Sequence, residues 1–119
     1  MKVILDTNFI IDSIRFKVPI FSELEGNEIF ILDSIEKELE SILKRGTNES
    51  KLAKIALEVL KTKALKVLKS IEKNTDASLL AYSQQNYFIA TQDSLLRTLI
   101  RKKGGKVVYI RQKKYLVVD

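Results

Sequence analysis

The stretch KVILDTNFIIDSI, residues 2–14, decides the fold class. Its apolar run Val3–Leu5 ends at Asp6, and a second apolar segment with helical spacing follows from Phe9 to Ile14. A short buried strand that leads directly into a buried helix is typical of α/β domains with a mainly parallel sheet.

The same alternation continues along the chain. Further strands are predicted at residues 29–32, 64–68, 87–91 and 106–110, with a short return strand at 115–118, and amphipathic segments between them predict helices. The helix that starts at Asp33 has Glu36 at the spacing of a capping box. The sequence therefore predicts one α/β domain over residues 1–119, with helices around a central, mainly parallel five-stranded sheet.

Composition limits the chemistry available to this domain. The 119 residues include no Cys and no His, which excludes thiol nucleophiles, Cys/His zinc sites and histidine bases. The 21 Lys and Arg residues outnumber the 15 Asp and Glu residues, and a net charge of +6 favours a polyanionic partner. No apolar run is long enough for a signal peptide or a membrane span, so we expect a cytoplasmic protein without a membrane partner.

Several acids follow predicted strands. Asp6 follows the first strand, Glu38 lies in the helix after the second, and Asp93 follows the fourth, so topology gathers these three at the carboxyl edge of the sheet. Asp76 opens the helix that leads into the fourth strand, and topology alone does not place it there. Each Asp also stands at a predicted helix start, where it would cap backbone amides. Helical spacing does not decide whether Glu36 or Glu38 faces the edge, although the capping box leaves Glu38 freer.

Four segments resemble the acidic motifs of the PIN-domain family, in order and at the family's spacing. They are ILDTN (residues 4–8), SIEKEL (34–39), TDASLL (75–80) and ATQDSLLR (90–97). The resemblance covers essentially the whole chain. Within the family, the chain is similar to compact archaeal PIN proteins, to PIN nucleases of ribosomal RNA maturation and to ribonuclease toxins of toxin–antitoxin pairs.

The resemblance implies a three-layer PIN fold and a metal-dependent ribonuclease. Asp6, Glu38, Asp76 and Asp93 match the family's acidic quartet, and Asn8 and Thr91 match polar positions that support it. A pocket of oxygen ligands suits one or two Mg²⁺ or Mn²⁺ ions, which would activate water where no His or Cys is available. The resemblance also implies a homodimer and either an antitoxin or a pre-rRNA processing factor as partner.

A basic segment follows the last motif. Between Arg97 and Lys114 there are eight Lys and Arg residues and no acid. It predicts an RNA-binding track, with Arg97, Arg101, Lys102 and Lys103 as its helical part.

Other classes of protein fit less well. A response-regulator receiver needs an Asp after the third strand, where this chain has Leu68-Lys69, and a haloacid-dehalogenase-type phosphatase needs a second Asp where it has Asn8. The main alternative is a PIN domain that binds RNA or protein with weak or absent catalysis.

Overall fold

The computed structural model describes all 119 residues and has an α/β architecture. Six strands and six helices follow one another along the chain: β1 Lys2–Leu5, α1 Thr7–Arg15, α2 Ile20–Glu23, β2 Glu28–Leu32, α3 Asp33–Lys44, α4 Glu49–Lys63, β3 Lys66–Leu68, α5 Thr75–Ser83, β4 Tyr87–Ala90, α6 Ser94–Lys102, β5 Lys106–Arg111 and β6 Tyr115–Val118. The longest helix, α4, has 15 residues, and none of the helices could cross a membrane.

The strands form one sheet in the order β3-β2-β1-β4-β5-β6. All neighbouring pairs are parallel except β5 and β6, which are antiparallel. The α/β class and the mainly parallel sheet are therefore confirmed. The sheet has six strands instead of the predicted five, because the predicted return strand, Tyr115–Val118, pairs antiparallel with Val108–Arg111 and joins the sheet.

The two central strands of the sheet are β1 and β4. Val3, Ile4 and Leu5 are fully buried, as expected for a parallel strand that helices cover on both faces. Because β2 and β4 flank β1 in parallel register, the residues that follow these three strands meet at one carboxyl edge.

Two local predictions differ from the structure. The expected capping box at Asp33 and Glu36 does not form, because the Asp33 carboxylate accepts hydrogen bonds from Ser34 N and from the backbone and hydroxyl of Ser70, 37 residues away. The third strand begins at Lys66, since Ala64 ends α4 in a left-handed conformation with φ of 50°.

Packing between α5, α6 and β5 depends on Gly105. A Cβ atom at this position would lie 2.6 Å from Ile100 Cγ2 and 3.2 Å from Ser83 Cβ. Ile100 is fully buried, so its methyl group has no room to move away. Gly105 therefore allows the end of α6 to lie close to the start of β5.

Replacement of Gly105 by Ala should destabilise the fold. We expect Gly105→Ala to lower the free energy of unfolding by about 1–3 kcal/mol, because the added methyl overpacks this contact. Urea denaturation measures the loss, and Lys106→Ala, at the exposed neighbouring position, is the control. Equal stability of the two variants would contradict the packing role of Gly105.

Candidate active site

Four acidic side chains from four parts of the chain line one cavity of about 370 Å³. Asp6 follows β1, Glu38 lies in the second turn of α3, Asp76 in the first turn of α5, and Asp93 precedes α6. Asp76 reaches this edge because α5 begins just beyond the carboxyl end of β3. The cavity thus contains all four acids of the predicted quartet, together with Asn8.

Asp6 is the most buried of the four acids, with 8% of its surface exposed. Its Oδ1 accepts a hydrogen bond from Thr7 N at 2.8 Å, which caps α1, and its Oδ2 accepts one from the Thr91 hydroxyl at 2.8 Å. The predicted capping role is confirmed, and it uses only one of the two oxygens. Thr91 is fully buried and fixes the other oxygen from the end of β4.

Glu38 is held by two threonines at the starts of two helices. Thr7 Oγ1 donates to Glu38 Oε2 at 2.5 Å, and Thr75 Oγ1 donates to Oε1 at 2.7 Å. Ser34 Oγ lies 2.9 Å from the Thr75 hydroxyl and extends this network. Glu36, by contrast, is exposed and does not line the cavity, so the choice that helical spacing left open falls on Glu38.

Asp93 and Asp76 are both exposed at the mouth of the cavity. Asp93 caps α6 through Oδ1, which accepts from Leu95 N and Leu96 N, while its own backbone N–H donates to the Thr91 hydroxyl. Asp76 is not a cap, because Asn74 caps α5 by accepting from Ala77 N. Its carboxylate is therefore available to the cavity.

Burial and mutual repulsion raise the pKa of two of these acids. Burial raises the pKa of Asp6 from 3.8 to about 6, against the hydrogen bonds from Thr91 and Thr7, and the charges of Glu38 and Asp76 add to the rise. Burial also raises the pKa of Asp76, and the charges of Asp93 and Glu38 contribute. The cavity is thus a place where positive charge would be stabilising.

The donor set fits a hard divalent cation in its chemistry. Carboxylate oxygens dominate the lining, and Asn8 and the two threonines add amide and hydroxyl oxygens. No three acidic side chains of the chain stand together at the spacing of a formed metal site. Converging carboxylates repel one another, so a cation would have to draw the exposed acids inward.

In the structure, the four residues of the predicted RNA track have different surroundings. The Arg97 guanidinium lies 4.3 Å from the centre of the Tyr109 ring and donates to Thr91 O at 3.2 Å, and Arg101 pairs with Asp119 at 2.9 Å. The nine-residue helix α6 leads from Asp93 back to the opposite edge of the sheet, so Lys102 and Lys103 lie about 14–15 Å from Asp93 along its axis. RNA contact by these four residues stays a prediction.

The sequence did not indicate Arg45, the one basic residue that lines the cavity. Arg45 follows the last turn of α3, seven residues after Glu38, which places both residues on one face of the helix. The available signal was this helical spacing, whereas net charge pointed to the longer basic segment near the carboxyl terminus.

Comparison with known proteins reveals relatives over nearly the whole chain. A family described as "PIN like domain" matches residues 3–113. Ribonuclease VapC4 from Methanocaldococcus jannaschii is 32% identical over an alignment of 126 positions, gaps included, which covers 98% of this chain and 95% of that protein.

Two solved structures are similar in fold. The PIN domain endonuclease Utp24 superposes with a TM-score of 0.78 at 29% identity, over 99% of this chain and 90% of that one. A domain of a functionally unknown protein from Methanocaldococcus jannaschii has a TM-score of 0.69 at 22% identity, over 92% of this chain and 91% of that one.

The raised pKa of Asp6 has a measurable effect on stability. Since the folded state holds this proton more tightly than the unfolded state, the metal-free protein should gain stability as pH falls from about 7 to about 4. The gain relative to Asp6→Asn should approach about 3 kcal/mol. Chemical denaturation of both proteins across this pH range, with a chelator present, measures it, and parallel pH profiles would show that the Asp6 pKa is unshifted.

The Thr75 hydroxyl should be needed for the position of Glu38. Thr75→Val should cost about 1–2 kcal/mol of stability, because it leaves Glu38 Oε1 and Ser34 Oγ without this partner, and Thr75→Ser should restore most of it. Thermal melting compares these variants. The control Thr62→Val removes an exposed hydroxyl that bonds only to its own helix, so a loss as large in Thr62→Val would contradict this role of Thr75.

Proposed function

Since the chain belongs to the PIN-like domain family, we propose that it is a divalent-metal-dependent endoribonuclease that hydrolyses RNA phosphodiester bonds. The observation that carries the proposal is the convergence of Asp6, Glu38, Asp76 and Asp93 on one cavity. The similarity to a protein named as a ribonuclease and to one named as an endonuclease supports the reaction class.

The acidic quartet is proposed to hold Mg²⁺ or Mn²⁺, with Asn8 as an additional oxygen donor. A bound ion of this kind supplies an activated water at neutral pH and stabilises charge on phosphoryl oxygens. Because the chain has no His and no Cys, its own side chains offer no imidazole or thiolate for either task.

The surrounding residues orient these acids. Thr91 and the Thr7 backbone fix Asp6, and the hydroxyls of Thr7 and Thr75 fix Glu38, so the two inner carboxylates keep their positions. The two outer carboxylates are exposed, and they differ in their restraint: Asp76 is not a helix cap and is free to adjust, whereas Asp93 is held through Oδ1, which caps α6. We infer that the inner pair is fixed and that Asp76 and the second oxygen of Asp93 would move toward a bound cation, which accounts for the absence of three acids at the spacing of a formed metal site.

We also infer that residues 1–119 act as one domain, because the sheet runs from Lys2 to Val118 over a single buried core. The homodimer and a partner that is an antitoxin or a pre-rRNA processing factor stay predictions. A PIN domain with weak or absent catalysis is the alternative function, and binding of RNA without cleavage would favour it.

Replacement of Asp6 by Asn tests the proposal directly. Asn caps a helix about as well as Asp, so the fold should persist, but the loss of an anionic ligand should weaken Mn²⁺ binding and slow RNA cleavage by about 100-fold. Thermal melting with and without Mn²⁺ and a time course with single-stranded RNA measure the two effects. A chelator should abolish cleavage by the unmodified protein.

The control Glu36→Gln also removes one acid near the same sheet edge, at an exposed position outside the cavity. It should keep both cleavage and the stabilisation by Mn²⁺. Wild-type cleavage and metal response in Asp6→Asn would show that Asp6 is only a helix cap and would refute the proposed metal site.

A further inference from the structure

One face of α3 lines two adjoining cavities. Ser34 and Lys37 lie in a larger cavity of about 620 Å³, and Ser41 and Arg45 lie in the acidic cavity. Glu38, between them on the helix, lines both, and Thr75 and Asp76 are shared as well. The two cavities therefore form one continuous groove along α3.

The lining of this groove is almost entirely polar. None of the ten residues around the larger cavity is hydrophobic, and Ile42 is the only hydrophobic residue of ten around the acidic one. No aromatic ring is available in either cavity for base stacking. Such a groove suits a sugar–phosphate backbone better than it suits bases or an apolar ligand.

Three cations lie in the groove on both sides of Glu38. Arg45 is the only basic residue of the acidic cavity, and Lys37 and Lys73 are the basic residues of the larger one. All three are exposed, and none belongs to the four ion pairs of the protein. Their charges are thus available to a ligand.

Two of the four acids of the larger cavity are engaged within the protein. Asp33 accepts hydrogen bonds from Ser34 N and from the Ser70 backbone and hydroxyl, and Glu38 accepts from its two threonines. Glu72 is the exposed acid of this cavity outside the proposed quartet. Lys37 and Lys73 are the cationic hydrogen-bond donors of this cavity, and neither forms an ion pair within the protein, so both can donate to a phosphate.

We propose that Lys37, Arg45 and Lys73 bind phosphates of a single RNA strand that lies along α3, on the two sides of the bond to be cut. Lys37 and Arg45 are eight residues apart, which is about 12 Å along the helix axis, with Glu38 between them. The inference rests on the proposed function in taking RNA as the ligand. It places the strand on a different surface from the track at Arg97–Lys103 that the basic segment predicts.

The test measures binding separately from cleavage. Fluorescence anisotropy with a labelled single-stranded RNA, in chelator and over a range of salt concentrations, compares the unmodified protein with the triple variant Lys37→Gln/Arg45→Gln/Lys73→Gln. Each single-strand phosphate contact contributes about 0.7 to the slope of log K against log salt, so three lost contacts should make the slope shallower by about 2.

A charge-matched control separates the groove from net charge. It replaces by Gln three exposed lysines of α4 that line neither cavity: Lys51, Lys54 and Lys61. The control should change the slope by much less than the groove variant. With Mn²⁺ present, the groove variant should raise KM for RNA by about tenfold or more while kcat changes little, because it retains all four acids.

The outcomes distinguish this inference from the proposed function. RNA cleavage by the unmodified protein, together with equal slopes for the groove and control triples, would overturn the inference and leave the nuclease proposal intact. A shallower slope only in a Lys102→Gln/Lys103→Gln variant would assign the strand to α6 and would also overturn it. Binding without cleavage, with the slope lost in the groove variant, would support the groove and refute the nuclease. Absence of any RNA binding by the unmodified protein would overturn the inference.

Discussion

The hydrogen bond from the Thr91 hydroxyl to Asp6 Oδ2 joins the ends of the two central strands, and the candidate site depends on it. It places a carboxylate where only 8% of the residue is exposed, and such burial is unfavourable for a charge without compensation. Thr91 and the start of α1 provide part of that compensation, and the remainder appears as a pKa raised to about 6. The same Thr91 hydroxyl accepts a hydrogen bond from the Asp93 N–H, so Asp6, which follows β1, and Asp93, which follows β4, are both held by Thr91.

The chain thus combines two opposed electrostatic requirements. Its acids repel one another in a cavity, while its net charge of +6 attracts polyanions. The helix α3 meets both requirements along one face, because it presents Glu38 to the cavity with Lys37 beside it and Arg45 two turns later. A negatively charged strand could then approach a negatively charged cavity with cations on both sides of it.

Much of this arrangement could be predicted from the sequence, because parallel topology alone brings Asp6, Glu38 and Asp93 to one edge. The place of Asp76 in the site was predicted only from the family resemblance. The sequence nevertheless contained a signal for it, because a strand at 66–68 followed shortly by Asn74 places the start of α5 at the same edge of the sheet. The capping box at Asp33 failed for another reason, since a local pattern lost to a contact with Ser70 from a distant part of the chain. The sequence does not indicate Arg45, because an isolated Arg at a helix end belongs to no motif and to no charge cluster.

The two carboxylate oxygens of Asp6 have different roles, as do those of Asp93, and this difference has an evolutionary consequence. In each residue one oxygen caps a helix, and an Asn oxygen would cap that helix about as well. Selection for a stable fold therefore exerts little pressure to keep a negative charge at either position, and only selection for chemistry does. Descendants of such a domain can lose these charges one at a time and still fold, so the fold can persist in a lineage after the activity is lost. The presence of the acids therefore indicates which members are active better than the fold does.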